Sequence, residues 1–91
     1  MVERTSARPL TGRDRAILRA VATGTAELTG GTEPDLLIGG RYCCDQEAAH
    51  RLARTGLIAP TAACVLGQRV TAVLTAAGRR ALRSASPPVA A

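Results

Sequence analysis

The stretch that decides the fold covers residues 45–60 and reads DQEAAHRLARTGLIAP. Asp45 is a strong N-cap residue and Gly56 a strong C-terminal stop, so a helix is predicted between them. A projection at about 100° per residue sorts its side chains onto two opposite arcs. The polar arc contains Gln46, Glu47, His50, Arg51 and Arg54, and the apolar arc contains Ala48, Ala49, Leu52 and Ala53. The sequence therefore predicts a helix that docks through one face and leaves the other free.

Two strands and a short helix are predicted on the C-terminal side of this helix. Residues 57–59 form the first strand, and the alternating run RVTAVL at residues 69–74 forms the second. They are joined either by a wide loop or by a tighter hairpin that turns at Gly67 and Gln68. Thr75 caps the final helix, which reads AAGRRALRS. The arginines of this helix are predicted to project to solvent: Arg79, Arg80 and Arg83.

A helix and a small β-meander are predicted on the N-terminal side. Thr11, followed three residues later by Asp14, is a near-capping box, and Gly24 supplies the left-handed stop. The apolar arc of this helix holds Ala16, Ile17, Leu18, Ala20 and Val21. Beyond it, Gly-Gly pairs at 30–31 and 39–40 separate β-compatible runs at 26–29, 36–38 and 41–43. Because Gly-Gly favours two-residue turns with positive φ, these runs predict a meander.

The 91 residues predict one small domain at residues 10–83, with disordered tails at 1–9 and 84–91. Tyr42 is the only aromatic residue, so the core must come from Leu, Ile, Val and Ala. No apolar run approaches the ~18 residues of a membrane span, and no secretory signal stretch is present. We therefore expect a soluble, cytoplasmic α+β protein without a membrane partner.

Charge is divided unevenly along the chain. Residues 1–47 contain seven acidic side chains and six arginines, whereas residues 48–91 contain six arginines and no acidic side chain. Such self-repulsion does not stabilise a domain, so the asymmetry indicates an external polyanion, most simply nucleic acid. All twelve basic residues are arginine. The planar guanidinium fits phosphate and guanine edges, although the codon bias of a GC-rich genome explains the same count equally well.

Two short motifs resemble a known family. LARTGLI at residues 52–58 and LTAAGRRAL at residues 74–82 are similar to segments of winged-helix transcription regulators of the MarR and PadR type. In that family a recognition helix ends in a Gly-Leu-Ile/Val step into the first wing strand, and the second wing strand ends in Leu-Thr-x-x-Gly-Arg. The resemblance covers residues 45–82 and implies a winged-helix-like order of helix, β-meander, helix, β-hairpin wing and short helix. The chain departs from the family where a meander replaces the helix that braces the recognition helix.

The resemblance and the charge asymmetry together indicate seven candidate DNA contacts. They are Gln46, His50, Arg51, Arg54, Arg69, Arg79 and Arg80. In a major groove, Gln46 and His50 would face base edges, whereas Arg51 and Arg54 would reach phosphate or guanine. Arg69 would lie on the wing beside a minor groove, and the last helix would contact phosphates.

Each of these candidates has a plainer interpretation. The helix face is equally typical of a solvated surface with a Glu47–Arg51 pair. Arg69 at a strand start keeps a hairpin edge soluble. Arginines on the last helix complement its negative C-terminal end.

The remaining reactive residues give little indication of chemistry. Cys43, Cys44, Cys64 and His50 have the donor types of a zinc site. They include no Cys-x-x-Cys pair, and adjacent cysteines on a strand point to opposite faces. The cysteines are therefore predicted to be packing thiols, with no metal and no cofactor. No phosphate loop, serine elbow or carboxylate pair is present, so neither an enzyme nor a small-molecule substrate is expected.

Two functions follow from these patterns. The first is a small DNA-binding protein, a transcriptional regulator that contacts duplex DNA through the 45–55 helix and an arginine-bearing wing. The alternative is a protein-interaction module on a winged-helix scaffold without DNA binding. It would use exposed strand edges around residues 36–38 to add a strand to a partner. A protein partner or a weak homodimer fits either function.

Overall fold

A computed structural model describes residues 10–63 and 65–84. Its helices are α1 (Gly12–Ala22), α2 (Gln46–Arg54) and α3 (Ala76–Ser84), and its strands are β1 (Ala26–Thr29), β2 (Leu36–Ile38), β3 (Arg41–Tyr42), β4 (Ile58–Pro60) and β5 (Arg69–Leu74). The predicted α+β class and the predicted order of elements are confirmed. The predicted tails lie outside the described residues, except for Ser84, which belongs to α3. None of the described helices has the length and apolar character needed to cross a bilayer.

The five strands form an open sheet in the order β3-β2-β1-β5-β4, and every neighbouring pair is antiparallel. Because side chains alternate along a strand, the register assigns each residue to one of two faces. One face carries the core residues Ala26, Leu28, Leu36, Ile58, Ala72 and Leu74. Residues of α1 and α2 complete this core, namely Ile17, Leu18, Val21, Ala48, Ala49 and Leu52, and Leu82 of α3 packs against it. All three helices therefore lie on one side of the sheet.

The opposite face of the sheet carries the alternate residues of each strand. Glu27 lies between Leu37 and Thr71 on the neighbouring strands, and Thr29 lies opposite Arg69. Arg69 is thereby placed on the face that the helices do not cover.

The two glycine pairs of the meander have different roles. The pair at 39–40 forms the predicted two-residue turn between β2 and β3, with φ values of 61° and 84°. The pair at 30–31 instead begins a longer loop, residues 30–35, which separates the two strands predicted at 26–29 and 36–38. This loop closes through a side chain, because Thr29 Oγ1 accepts a hydrogen bond from Asp35 N at 2.9 Å.

Helix α1 begins with the predicted capping box. Thr11 Oγ1 accepts a hydrogen bond from Asp14 N, and Asp14 Oδ2 accepts one from Thr11 N, both at 3.0 Å. Asp14 is also buried, with 3% of its surface exposed, whereas Ala16 of the predicted apolar arc is exposed. The prediction that Ala16 faces the core is therefore wrong, because α1 is rotated so that Asp14 points inward to a partner on α2.

Strands β4 and β5 are joined by the wide loop at residues 61–68, so the tight turn at Gly67 and Gln68 is the wrong alternative. Helix α3 then packs on the chain that enters β4. Thr75 N donates to Leu57 O at 3.1 Å, and a Cβ placed on Gly78 would overlap the same oxygen. Gly78 is therefore needed for the close approach of α3 to Leu57.

Candidate nucleic-acid interface

Gln46, the first candidate base contact, is engaged within the protein. Its Oε1 accepts a hydrogen bond from Leu36 N, and its Nε2 donates to Leu36 O and to Cys43 O, each at 2.9 Å. A primary amide has the donor and acceptor of a peptide group, so the side chain continues the ladder that β3 begins on β2. Gln46 therefore fixes the start of α2 to the sheet.

His50 and Arg54 contact the loop between β1 and β2. His50 Nε2 lies 3.0 Å from Asp35 Oδ1, and His50 Nδ1 lies 3.7 Å from Glu33 Oε1. Arg54 Nη1 donates to Glu33 Oε2 at 3.0 Å. The His50 side chain is 19% exposed, whereas those of Arg54 and Glu33 are 61% and 57% exposed. His50 is thus held inside the domain, while Arg54 is held only by a surface ion pair, which contributes under about 1 kcal/mol.

Arg51 reaches helix α1 instead of solvent. Its Nη2 donates to Asp14 Oδ1 at 2.6 Å, and the Asp14 side chain is 5% exposed. Burying a charged carboxylate without a cation beside it costs several kcal/mol of folding free energy. Arg51 therefore compensates the negative charge of Asp14, which the capping box places in the interior. The surface pair between Glu47 and Arg51 is absent from the described structure, because Arg51 turns toward Asp14. Arg51 is therefore a structural link between α1 and α2.

The polar face of α2 is consequently not a free surface. Gln46, His50 and Arg51 contact neighbouring elements, and Arg54 is paired with Glu33. The prediction that one helix face stays free is wrong, because α1, β2 and the β1–β2 loop all present hydrogen-bonding groups to it. Base recognition by Gln46 and His50 has no support in this geometry.

The other candidates lie apart from α2 and from one another. Arg69 is exposed at the start of β5, on the sheet face away from the helices. Arg79 and Arg80 are exposed on α3, and Arg79 Nη1 donates to Leu74 O at 3.2 Å. Arg69 and Leu74 are five residues apart along an extended strand, which is about 17 Å. The seven candidates therefore do not converge on one surface.

The domain nevertheless holds an excess of positive charge. Of the ten arginines in the described residues, three are paired with a carboxylate, namely Arg13, Arg51 and Arg54. The other seven have no carboxylate partner within the described part of the chain: Arg15, Arg19, Arg41, Arg69, Arg79, Arg80 and Arg83. Among the described acidic residues, Glu27, Asp35 and Glu47 have no arginine partner, and Asp35 Oδ1 instead meets the ring of His50. Because α1 and α3 pack against each other, five of the unpaired arginines belong to one helical layer.

Three acidic residues hold the polar side chains of α2, a role that no pattern in the sequence indicated. Asp14 was predicted only as a capping residue, and Glu33 and Asp35 lie in a loop interpreted as a turn. Each acid is 15 to 37 residues away from its partner on α2. No local pattern connects positions so far apart, so these pairs had no detectable signal in the sequence.

The structure also bears on the metal ligands considered from the sequence. Within residues 10–63 and 65–84, no group of three or more His, Cys, Asp or Glu side chains is arranged to hold a metal ion. Asp35 and Glu33 meet opposite ring nitrogens of His50, so their oxygens do not converge with it on one point. Cys43 and Cys44 are free thiols, and Cys64 lies outside the described residues.

No protein-family model, no curated protein and no solved structure matches this chain. The winged-helix resemblance therefore rests only on the motifs within residues 45–82.

Proposed function

We propose that this domain is a small, winged-helix-like DNA-binding protein, a transcriptional regulator that holds duplex DNA by phosphate contacts instead of base recognition through α2. One observation supports the proposal above all. Seven arginines lack a carboxylate partner in the described chain, whereas three of the described acidic residues, Glu27, Asp35 and Glu47, lack an arginine partner. Most of these arginines belong to α1 and α3, so the helical layer is the proposed contact surface.

Phosphate binding follows from the chemistry of these side chains. A guanidinium donates two parallel hydrogen bonds to a phosphate, and each neutralised phosphate releases condensed counterions. Arg79 and Arg83 are four residues apart on α3, so they lie on the same side of that helix, about 6 Å apart along its axis. Phosphate contacts position a protein on DNA without reading the base sequence of the DNA. The proposed complex is therefore salt-sensitive and weakly sequence-selective.

Fluorescence anisotropy with a labelled duplex tests the proposal. The wild-type protein is expected to bind with a dissociation constant of about 1–100 μM at physiological salt, and more tightly at low salt. Arg80→Gln should reduce the slope of log affinity against log salt by about 0.9, the value for one phosphate contact. Duplexes of unrelated sequence should bind with similar affinity.

The matched control for Arg80→Gln is Arg41→Gln. Arg41 is also exposed and has no carboxylate partner in the described chain, but it lies on edge strand β3, outside the helical layer. Its replacement should leave the salt slope unchanged. Absence of binding at low salt, or equal slopes for the two variants and the wild type, would refute the proposed surface.

Self-association is a second candidate function, supported by a different observation. Val65 and Leu66, adjacent in the β4–β5 loop, are 61% and 83% exposed. The strand edge proposed from the sequence does not exist, because Leu36 and Leu37 are buried and β2 lies between β1 and β3. The wing loop is therefore the apolar surface that a second copy of this chain would contact.

Sedimentation equilibrium distinguishes this candidate. Leu66→Ser should abolish concentration-dependent association without changing the melting temperature, because the side chain is almost fully solvated. Ala62→Ser, an exposed position in the same loop, is the control. A wild-type protein that stays monomeric at millimolar concentration would exclude this function.

A further inference from the structure

A groove of about 460 Å³ lies between α1, the end of β2 and the turn that precedes α2. Ala16, Ile17 and Ile38 supply its apolar lining, and Arg13 and Asp45 supply charged groups. It lies outside the polar contacts described for α2 and has no role in the proposed DNA surface.

Two cysteines line this same groove, Cys43 and Cys44. Adjacent residues of an extended strand point to opposite faces, but β3 ends at Tyr42, so both thiols lie in the following turn. Cys43 is half-buried against the core, and its Sγ donates to Asp45 O at 3.9 Å. Cys44 is exposed, so it is the thiol that a reagent reaches.

Arg13 lies beside Cys44. Its Nη1 donates to Cys44 Sγ at 3.8 Å, and its Nε lies 3.5 Å from Asp45 Oδ2. The negative charge of Asp45 is thus offset by the same guanidinium, and Asp45 Oδ1 also caps α2 by accepting from Ala48 N. The Arg13 side chain is 56% exposed, which leaves it accessible to a second anion. An accessible thiol, a cation and an apolar wall therefore meet in one groove.

We propose that Cys44 is a site of thiol–disulfide exchange with small organic disulfides that carry a carboxylate. Cys44 loses its proton to solvent, and the thiolate attacks one sulfur of the disulfide. A new S–S bond joins Cys44 to one half of the reagent, and the other half leaves as a thiolate that takes up a proton. The disulfide is the oxidant and is reduced as Cys44 is oxidised.

The groove favours this reaction in two ways. Arg13 attracts the carboxylate of the reagent and lies beside the negative charge that spreads over three sulfurs during the attack. The retained half of the reagent then packs against Ile17 and Ile38. Cys43, half-buried and hydrogen-bonded, is spared.

The test treats the reduced full-length chain with glutathione disulfide and follows the product by intact-protein and peptide mass spectrometry. The wild type is expected to gain a glutathionyl group at Cys44, and Cys44→Ser should lose this modification. Arg13→Gln should slow it about two- to fivefold, the size of effect expected from one partly solvated charge. With neutral hydroxyethyl disulfide, the effect of Arg13→Gln should be smaller.

Arg19→Gln, which removes another exposed arginine of α1 that does not line the groove, is the matched control and should react at the wild-type rate. Circular dichroism checks that every variant is folded. Absence of the adduct at Cys44 in the wild type, attachment at Cys43 instead of Cys44, or equal rates of Cys44 modification for Arg13→Gln and Arg19→Gln would overturn the proposal.

Discussion

Arg51→Gln is expected to lower the free energy of unfolding by about 2–3 kcal/mol. The change removes the cation that lies 2.6 Å from Asp14 Oδ1, and the carboxylate left behind is 5% exposed. Breaking a fully buried ion pair costs about 3–5 kcal/mol. Arg51 itself is 29% exposed and Asp14 keeps the hydrogen bond from Thr11 N, so the expected cost falls below that range.

Urea denaturation followed by far-UV circular dichroism is the suitable assay, because the protein has no tryptophan and a single tyrosine. Arg54→Gln is the matched control on the same helix. Its ion pair with Glu33 is more than half exposed on both sides and should contribute less than about 1 kcal/mol. Asp14→Asn combined with Arg51→Gln should cost less than the two single changes added together, since both remove the same pair.

Arg51→Gln is expected to destabilise the protein more than Arg54→Gln. If Arg51→Gln and Arg54→Gln each change stability by less than about 0.5 kcal/mol, the Asp14–Arg51 pair does not hold α1 to α2. Arg51 would then be a surface side chain and would again be a candidate DNA contact.

Two further predictions concern packing and hydrogen bonding. Gly78→Ala should destabilise the protein by about 1–3 kcal/mol, although alanine is the better helix former, because its Cβ would overlap Leu57 O. A Cβ on Gly12 would have nothing within 4 Å, so Gly12→Ala should be neutral or should stabilise the protein by up to about 1 kcal/mol. If Gly12→Ala and Gly78→Ala shifted the melting temperature in the same direction, the close packing of Gly78 on Leu57 would be contradicted. Gln46→Ala should cost about 2–3 kcal/mol because it leaves Leu36 N and Cys43 O without their partner, although Leu36 O keeps the hydrogen bond from Cys43 N. Glu47→Ala should cost under about 0.5 kcal/mol, and equal melting temperatures for the two variants would argue against the amide bridge.

The elements of the fold were predictable where their signals are local. The Thr11–Asp14 capping box and the turn at 39–40 each involve residues within a few positions of one another, and both were found as predicted. The shape of the loop at 30–35 was not predictable, because this loop closes through contacts that the glycine pair does not specify. Gly30 N donates to Gln68 O, a partner on the β4–β5 loop.

The candidate site was predictable only as a set of side chains on one arc of a helix. The arc of α2 was correct, because helical periodicity depends on neighbours in the chain. Whether Gln46 and His50 are free depends on β2 and on the β1–β2 loop, which fold over them. Periodicity distinguishes polar from apolar faces, but it does not distinguish a solvated polar face from one that is hydrogen-bonded within the protein.

The sequence by itself determined which segments form helices and which form strands, which face of α2 is apolar, and how charge is divided between the two halves of the chain. These properties depend on short-range geometry and composition. Only the tertiary structure decided which charges remain unpaired, because the carboxylates of Asp14, Glu33 and Asp35 reach α2 across 15 to 37 residues. Hydrogen bonds and ion pairs act over a few ångströms in space whatever the separation along the chain, and the fold sets those distances.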